Sequence, residues 1–308
     1  MKIVVTGATG YVGTPLVKEL RVRGDHVVAL TRDAAKAKAK LGDVEAITAD
    51  IETPGAWTEA LSGADALLHL AGESVGAKRW DAREKQKIRD SRVESTRTLV
   101  EAIGKLPAEK RPKVFVHASG TDYYPFAPEK DEFDDDPVTE NDKAGDSFLA
   151  RVCRDWENEA RVAETYGLRV ASMRSGIVLG PPGGALDKMS TAFKLHVGGR
   201  LGSGQQFLPW IHRDDAVAGY IAALTDERYS GAFNLVTASE RNKQFSCALA
   251  AALGRVSWLP VPAFAVKIGA GEFAEYVLRG RNVVPARMKA LGFEWSRPTL
   301  ESALADAK

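Results

Sequence analysis

A glycine-rich turn directly after the first apolar run is the feature of this sequence that most limits its fold. The run "KIVVT" (2–6) is followed by "GATGYVG" (7–13), in which glycine stands at every third position. One glycine of such a turn makes the tight bend, a second lets a pyrophosphate approach, and a third lets the next helix pack closely. The N-terminus of that helix attracts the anion. Gly7, Gly10 and Gly13 therefore predict a dinucleotide site, the alternative being a turn without a ligand.

Apolar and amphipathic runs alternate along the first half of the chain. Strands are predicted at 2–6, 26–31, 44–48, 66–72, 113–119 and 168–174, and helices at 14–24, 56–63, 81–104 and 146–166. This alternation indicates βαβ units and a parallel sheet. After residue 174 glycine and proline become dense. We predict an α/β fold, in which a doubly wound parallel sheet of the Rossmann type (1–174, with later segments returning to it) carries a smaller C-terminal α+β substrate lobe (175–308).

Composition excludes several classes of function. The chain has 308 residues, a net charge of +1 and no free block of basic residues, so nucleic acid is not expected as its partner. Cys153, Cys247 and the five histidines show neither a disulfide framework nor a metal-binding spacing. The N-terminus starts directly on a strand pattern, and no apolar run suits a bilayer. We expect a cytoplasmic protein with a small-molecule substrate, no metal and no membrane partner; whether it forms an oligomer stays open.

The end of the second predicted strand bears on the choice of dinucleotide. An acid there would hold a ribose hydroxyl, whereas an arginine would accept a 2′-phosphate. The sequence reads "ALTRD" (29–33), with Arg32 at the tip and Asp33 one position later. Because a guanidinium can fork onto a phosphate, NADP(H) is favoured over NAD(H). The alternative is that Arg32 is a solvated surface residue and Asp33 binds a ribose.

Several longer segments carry a resemblance to a known family. They are "TGATGYVG", "LHLAG", "AGESVGAKRWDAREKQKIRDSRVESTRTLVEAI", "FLARVCRDWENEA", "RSGIVLGPPGGAL", "GGRLGSGQQFLPWIHRDD" and "LPVPAFAVK". The chain resembles, over nearly its whole length, the YfcH-like proteins of the NAD-dependent epimerase/dehydratase family, an atypical branch of the extended short-chain dehydrogenase/reductases.

The resemblance implies which residues hold NADP(H), with the C-terminal lobe closing over a substrate. Those at the phosphates are Thr6, Gly7, Thr9, Gly10, Tyr11, Val12 and Gly13. Arg32 falls at the 2′-phosphate, and Asp50 and Ile51 fall near the adenine. The middle of the cofactor is lined by Leu70, Ala71 and Gly72, and the nicotinamide by Ser175, Gly176, Ile177 and Val178.

The pair that usually transfers the proton in this superfamily is missing. Typical members use Tyr-x-x-x-Lys on the helix after the fifth strand, because a nearby lysine lowers a phenol pKa that is otherwise near ~10. No tyrosine of this chain is followed by lysine four residues later. At the expected place, Phe148 or Leu149 takes the tyrosine position and Val152 or Cys153 the lysine position. The usual proton transfer is therefore not available.

The segment "ASGTDYY" (118–124) offers the substitutes. Ser119 ends the fifth strand, and Tyr123 or Tyr124 could donate a proton to a carbonyl oxygen that Ser119 polarises. The positive charge of an oxidised nicotinamide would then replace lysine in lowering the phenol pKa. The alternative is that both tyrosines pack the pocket wall. Pro125 stands where the family's common pattern has glycine, which puts the path of this loop in question.

Other segments leave two interpretations each. His212 in "PWIHRDD" (209–215) suits a structural cap of a helix, with pocket lining as the alternative. The run "LGPPGGAL" (179–186) could wrap a ligand or form a turn beside the cofactor. Arg174 could face a phosphate or form a buried ion pair. The acidic run 129–137 is expected to be a solvated loop.

We therefore predict an NADP(H)-dependent oxidoreductase of the atypical extended type that acts on a small carbonyl or alcohol compound. Hydride transfer would take place in the crevice at the carboxyl ends of the strands. Two alternatives remain. The first is a nucleotide-sugar epimerase, as the family's label implies. The second is a sensor or interaction protein that binds NADP(H) without turnover.

Overall fold

The computed structural model describes residues 1–127, 135–181, 183–195, 198–257 and 259–307. These residues form strands β1 Lys2–Thr6, β2 His26–Thr31, β3 Glu45–Thr48, β4 Ala66–His69, β5 Val114–Gly120, β6 Arg169–Ser175, β7 Ile177–Leu179, β8 Phe207–His212, β9 Gly231–Leu235 and β10 Ala238–Arg241. The helices are α1 Gly13–Val22, α2 Ala34–Leu41, α3 Ala82–Asp90, α4 Val93–Lys105, α5 Phe148–Arg161, α6 Gly184–Lys194, α7 Arg213–Thr225, α8 Asn242–Ala252, α9 Ala263–Ala270, α10 Ala274–Leu278, α11 Ala286–Ala290 and α12 Leu300–Leu304.

Seven strands form one sheet in the order β3-β2-β1-β4-β5-β6-β9, and every neighbouring pair is parallel. The inner strand β1 is apolar almost throughout, because both of its faces are covered by helices. Helices α1 and α7 pack on one face, around Leu16, Leu20 and Tyr220. Helices α4 and α5 pack on the other, around Leu99 and Ala160. The prediction of a doubly wound parallel sheet is confirmed.

The C-terminal half contributes to both parts of the molecule. Strands β7, β8 and β10 form a second, three-stranded sheet in which Trp210 is opposite Ile177 on one side and Ala238 on the other. Helices α8 and α12 cover it, with Phe245 and Leu304 fully buried. Between these elements the chain returns to the first sheet, where β9 pairs with β6. The smaller α+β lobe is thus woven into the larger sheet.

One predicted helix is divided in two, and the prediction of a continuous helix over 81–104 is wrong. Helix α3 ends before Ser91 and α4 begins after Arg92. The hydroxyl of Ser95 donates to the backbone carbonyls of Ser91 and Arg92, at 2.8 and 3.1 Å. A side-chain donor of this kind competes with the helical backbone bonds and bends the helix. The break directs the Arg92 side chain toward the carboxyl edge of the sheet.

Other boundaries differ because local pattern is a weak guide to short elements. The predicted helix over 56–63 is a single 3-10 segment, Ala56–Leu61. The helix predicted over 146–166 is α-helical only to Arg161, after which a 3-10 segment follows. Helix α2 was not predicted. Asp33 caps it by accepting from the Lys36 N–H, while only Ala37 and Leu41 of this helix are buried.

Two absences can be stated for the described part of the chain. No helix there is long and apolar enough to cross a membrane. No three of its His, Cys, Asp or Glu side chains are grouped so that they could hold a metal ion. Most of the acidic run 129–137 lies outside the described residues.

Candidate functional site

Three cavities follow one another along the carboxyl edge of the parallel sheet. The first has a volume of about 260 Å³ and is bounded by the glycine turn and the end of β2. The middle cavity, of about 280 Å³, shares Leu70, Ala71 and Gly72 with the first. The lobe cavity, of about 350 Å³, shares Val75, Asp122 and Ser175 with the middle one. The three form one continuous cleft between the sheet and the C-terminal lobe.

The glycine turn forms one wall of the first cavity, with Gly7, Thr9 and Gly10 among its lining residues. A Cβ on Gly7 would lie 2.6 Å from the backbone carbon of Leu70, and Gly7 has a φ of +69°. A Cβ on Gly13 would lie 2.1 Å from the Gly7 carbonyl oxygen. Helix α1 begins at Gly13 with no side-chain cap from the described residues. The turn therefore leaves a helix N-terminus facing space that a phosphate fits.

The tip of β2 lies at the rim of the same cavity. Arg32 lines it and donates to Glu73 at 3.1 Å, with 89% of the arginine side chain exposed. The carboxylate of Asp33 instead accepts from the backbone N–H of Lys36, and this bond lowers the pKa of Asp33. Asp33 thus caps α2, whereas Arg32 is exposed at the rim of the cavity.

Asp50 and Ile51 also line the first cavity, and their place beside the adenine stays a prediction. The indole of Trp57 donates to the Asp50 carbonyl at 3.1 Å and holds this segment in place. Thr6, unlike Asp50 and Ile51, is fully buried. Its hydroxyl lies 2.6 Å from Nδ1 of His69. Burial lowers the pKa of His69 to about 3, so this histidine stays neutral. Thr6 therefore supports the turn from beneath.

Tyr11 connects the glycine turn to the C-terminal lobe. Its hydroxyl donates to the Pro181 carbonyl at 2.9 Å. Its ring packs against Gly183 and Gly184, where an added Cβ would lie 3.1 and 3.0 Å from ring atoms. Of the two interpretations of "LGPPGGAL", these contacts fit a turn beside the cofactor site. Val12, next to Tyr11, lines the middle cavity.

The middle cavity is where the missing Tyr-x-x-x-Lys pair would project. Leu149 and Cys153, one helical turn apart on α5, line it. Burial raises the pKa of Cys153 to about 12, so the thiol stays protonated. Arg92 enters from the break between α3 and α4 and donates to the carbonyls of Ile88 and Glu73 at 3.0 and 2.9 Å. Sequence reasoning missed Arg92, since it lay within a predicted continuous helix.

The three predicted catalytic side chains each contact one member of the pair formed by Arg174 and Glu157. This guanidinium forms a bidentate, buried ion pair with Glu157, at 2.8 and 2.7 Å. The Ser119 hydroxyl donates to the same carboxylate at 2.7 Å. Arg174 also donates to the Tyr124 hydroxyl at 2.9 Å, and its guanidinium carbon lies 3.4 Å from the ring centroid of Tyr123. Arg174 thus forms the buried ion pair that was one of its two interpretations.

These contacts limit the part that the hydroxyl groups of Ser119 and Tyr124 can take in proton transfer. Tyr124 donates its proton to Asn234 at 2.7 Å and is 3% exposed. Burial raises the pKa of Tyr124 to about 12, despite the opposing effect of Arg174. The arrangement favours a structural role for Ser119, Tyr123 and Tyr124, whose assignment as catalytic residues stays a prediction.

Asp122 is the ionisable residue that sequence reasoning passed over. It lies directly before the two tyrosines, is partly buried, and lines both the middle and lobe cavities. Burial raises the pKa of Asp122 to about 6, although the charge of Arg92 opposes the shift. No local signal distinguishes this aspartate from an ordinary turn residue.

The lobe cavity is mainly apolar and aromatic. Gly176, Ile177 and Val178 line it, whereas Ser175 reaches the middle cavity as well. The other side is formed by residues from the lobe, among them Phe207, Phe273, Tyr276, Arg279 and Arg281. His212 caps α7 by accepting from the Asp214 N–H at 3.2 Å, as its structural interpretation required.

Comparison with known proteins gives the family. A model described as the NAD dependent epimerase/dehydratase family matches residues 3–235, and a domain of unknown function, DUF1731, matches residues 261–307. An Arabidopsis thaliana protein named epimerase family protein SDR39U1 homolog, chloroplastic, is 40% identical over 305 residues, covering 99% of this chain and 86% of that protein. The Bos taurus epimerase family protein SDR39U1 is 36% identical over 312 residues, covering 99% of both.

A solved structure extends this likeness to both parts of the molecule. The human epimerase family protein SDR39U1 (isoform 2), crystallised with NADPH, has a TM-score of 0.86 and 33% identity, covering 100% of this chain and 99% of that one. The resemblance predicted from the sequence is therefore confirmed. This chain belongs to the NAD-dependent epimerase/dehydratase family and has the NAD(P)-binding fold of the extended short-chain dehydrogenase/reductases.

Proposed function

We propose that the protein is an NADP(H)-dependent oxidoreductase that acts on a small carbonyl or alcohol compound. The carrying observation is the continuous cleft, in which two cavities of dinucleotide-binding character lead into a third that is lined by the C-terminal lobe. Ligands of doubly wound folds bind at this edge of the sheet. The presence of NADPH in the human SDR39U1 structure supports the choice of cofactor.

The preference for NADP(H) over NAD(H) rests on the tip of β2. Arg32 is exposed at the rim of the first cavity, and its partner Glu73 lies at the same rim. A 2′-phosphate would displace Glu73 from Arg32 and gain charge-assisted hydrogen bonds. Asp33 would otherwise be the acid for a ribose hydroxyl, but its carboxylate caps α2.

Different residues of the cleft would bind different parts of the cofactor. The glycine turn and the N-terminus of α1 hold the pyrophosphate, and Asp50 and Ile51 flank the adenine. Leu70, Ala71 and Gly72 line the junction of the first two cavities. Bound in this way, the nicotinamide would give or take a hydride at the boundary of the middle and lobe cavities.

The lobe cavity indicates the kind of substrate. Its volume of about 350 Å³ suits a small molecule. Phe126, Phe207 and Phe273 give it an apolar lining that excludes water from a reacting carbonyl. A compact compound with an apolar body fits this surface better than the polar sugar of a nucleotide sugar.

A sensor that binds NADP(H) without turnover is a second candidate. It is favoured by one observation, which is that Ser119 and Tyr124 already hydrogen-bond within the network around Arg174. In that case the lobe cavity would bind a ligand whose affinity depends on the redox state of the bound cofactor.

Cofactor titration tests the proposal. We expect NADPH to bind roughly tenfold to hundredfold more tightly than NADH, and Arg32→Ala to erase the preference, because the guanidinium contacts only the 2′-phosphate. Arg228→Ala removes another exposed arginine, which pairs with Asp226, and serves as the control. Equal affinity for both nucleotides in the unaltered protein would contradict the choice of NADP(H). Oxidation of NADPH with a panel of small carbonyl compounds then separates an enzyme from a sensor.

A further inference from the structure

The function proposed above gives no role to Asp122, although this residue lies in the cleft. Among the described residues, three line both the middle and lobe cavities, and Asp122 is the titratable one of the three. The other two are Val75 and Ser175. A group placed there faces the end of the cofactor site on one side and the substrate space on the other. This is where a reacting oxygen must exchange its proton.

The path of the local backbone places this carboxyl group in the cleft. Strand β5 ends at Gly120, and a single 3-10 turn, Thr121–Tyr123, directs Asp122 into the cleft. A Cβ on Gly120 would lie 3.5 Å from Oδ2 of Asp122 and 3.7 Å from Sγ of Cys153. Both distances are ordinary van der Waals separations, so the carboxyl group lies beside the end of β5 and the Cys153 side chain.

Three elements present ionisable groups to Asp122. They are the guanidinium of Arg92 before α4, the thiol of Cys153 on α5 and the phenol of Tyr276 on α10. The hydroxyl of Tyr276 accepts from the Leu149 N–H at 2.9 Å. Burial raises the pKa values of Cys153 and Tyr276, so both stay protonated at neutral pH. Asp122 is the member of this group that can change its protonation state near neutrality.

We propose that Asp122 is the catalytic acid and base of this protein, in place of the absent Tyr-x-x-x-Lys pair. The proposal rests on the oxidoreductase function proposed above. In reduction, the substrate carbon receives a hydride from the reduced nicotinamide, and the carbonyl oxygen receives the proton of the Asp122 carboxyl. The product is an alcohol, and the carboxylate regains a proton from water. In oxidation, the carboxylate takes the hydroxyl proton while the hydride leaves the carbon.

A pKa of about 6 suits this task. Both protonation states of the carboxyl are then accessible near neutral pH, which is the condition for efficient general acid–base catalysis. The charge of the carboxylate has a second consequence that can be measured without a substrate. An ionised Asp122 favours the positively charged ring of NADP⁺ over the neutral ring of NADPH.

The test compares the dissociation constants of NADP⁺ and NADPH in the full chain. We expect their ratio, Kd(NADP⁺) to Kd(NADPH), to fall about threefold from pH 5.5 to pH 8 as Asp122 ionises. Asp122→Asn should remove this dependence, and Asp122→Glu should keep it. The matched control is Glu52→Gln, which neutralises a carboxyl at the far end of the cleft and should leave the dependence intact. Circular dichroism at both pH values verifies that each variant is folded.

The outcomes separate this proposal from the one on which it rests. A ratio that does not change with pH, or that changes equally in Asp122→Asn, overturns the role of Asp122 while leaving the cofactor assignment in place. Failure of the unaltered chain to bind either nucleotide overturns both proposals. With any carbonyl compound that is reduced, Asp122→Asn should lower kcat by roughly 100-fold at an unchanged Kd for NADPH. A loss of less than about threefold contradicts the proposal.

Discussion

Two arginine–glutamate pairs in this molecule have the same chemistry and opposite settings. Arg174 and Glu157 are 4% and 3% exposed and form a fork of two hydrogen bonds beneath the cleft. Arg32 and Glu73 are 89% and 45% exposed and share a single contact at its rim. A buried pair must be complete because either partner alone leaves an uncompensated charge. An exposed pair contributes little to folding and can be exchanged for a ligand.

The largest effect is expected from breaking the buried pair. Glu157→Gln leaves the Arg174 guanidinium with no carboxylate and should lower the free energy of unfolding by about 3–5 kcal/mol, measured by urea denaturation. The double variant with Glu157→Gln and Arg174→Met removes both charges and should recover part of that loss. If Glu157→Gln alone were as stable as the unaltered protein, the buried pair would contribute no more to folding than the exposed pair.

The buried region should also respond to acid. Burial lowers the pKa of His117 to about 4, and Ser172 and the Ala118 carbonyl hydrogen-bond to its ring. Because the unfolded chain takes up this proton near pH ~6.5, stability is full above that pH and falls by up to about 1.4 kcal/mol per pH unit down to pH ~4. His117→Gln should reduce the slope, and exposed His26→Gln provides the comparison. Equal slopes in all three proteins would contradict this account.

The smallest effect on folding is expected at the exposed pair. Arg32→Ala should leave the urea midpoint unchanged within error, although it weakens NADPH binding as described above. Added salt should weaken NADPH binding in the unaltered protein more than in the variant, because exposed charges are screened. A marked loss of stability in Arg32→Ala would remove the contrast between the two pairs.

Whether a feature could be predicted from the sequence depends on how far apart in the chain the residues that determine it lie. The glycine turn and Arg32 are set by neighbours within one βαβ unit, and both line the first cavity, while their contacts with a cofactor stay a prediction. The pair of Glu157 and Arg174 joins a helix to the following strand, and Tyr124 meets Asn234 across 110 residues. No local pattern encodes such contacts.

The same reason explains the two site residues that were missed. The pKa of Asp122 is raised because other elements close over a turn that, by itself, would be solvated. Arg92 lies at a break in a charged run whose pattern is helical throughout, where the Ser95 hydroxyl donates to the carbonyls of Ser91 and Arg92. Tertiary packing therefore decides the chemistry of residues that composition alone would leave on the surface.

The return of β9 to the first sheet has a consequence for how this chain can be divided. A fragment that stopped after β6 would expose the edge of that strand along Ala171–Ser175, since the register there is supplied by residues sixty positions later. Open edges of this kind template association with other chains. The part of the chain up to β6 is thus not a detachable module, and gene fusions or half-chain expression should keep both halves on one polypeptide.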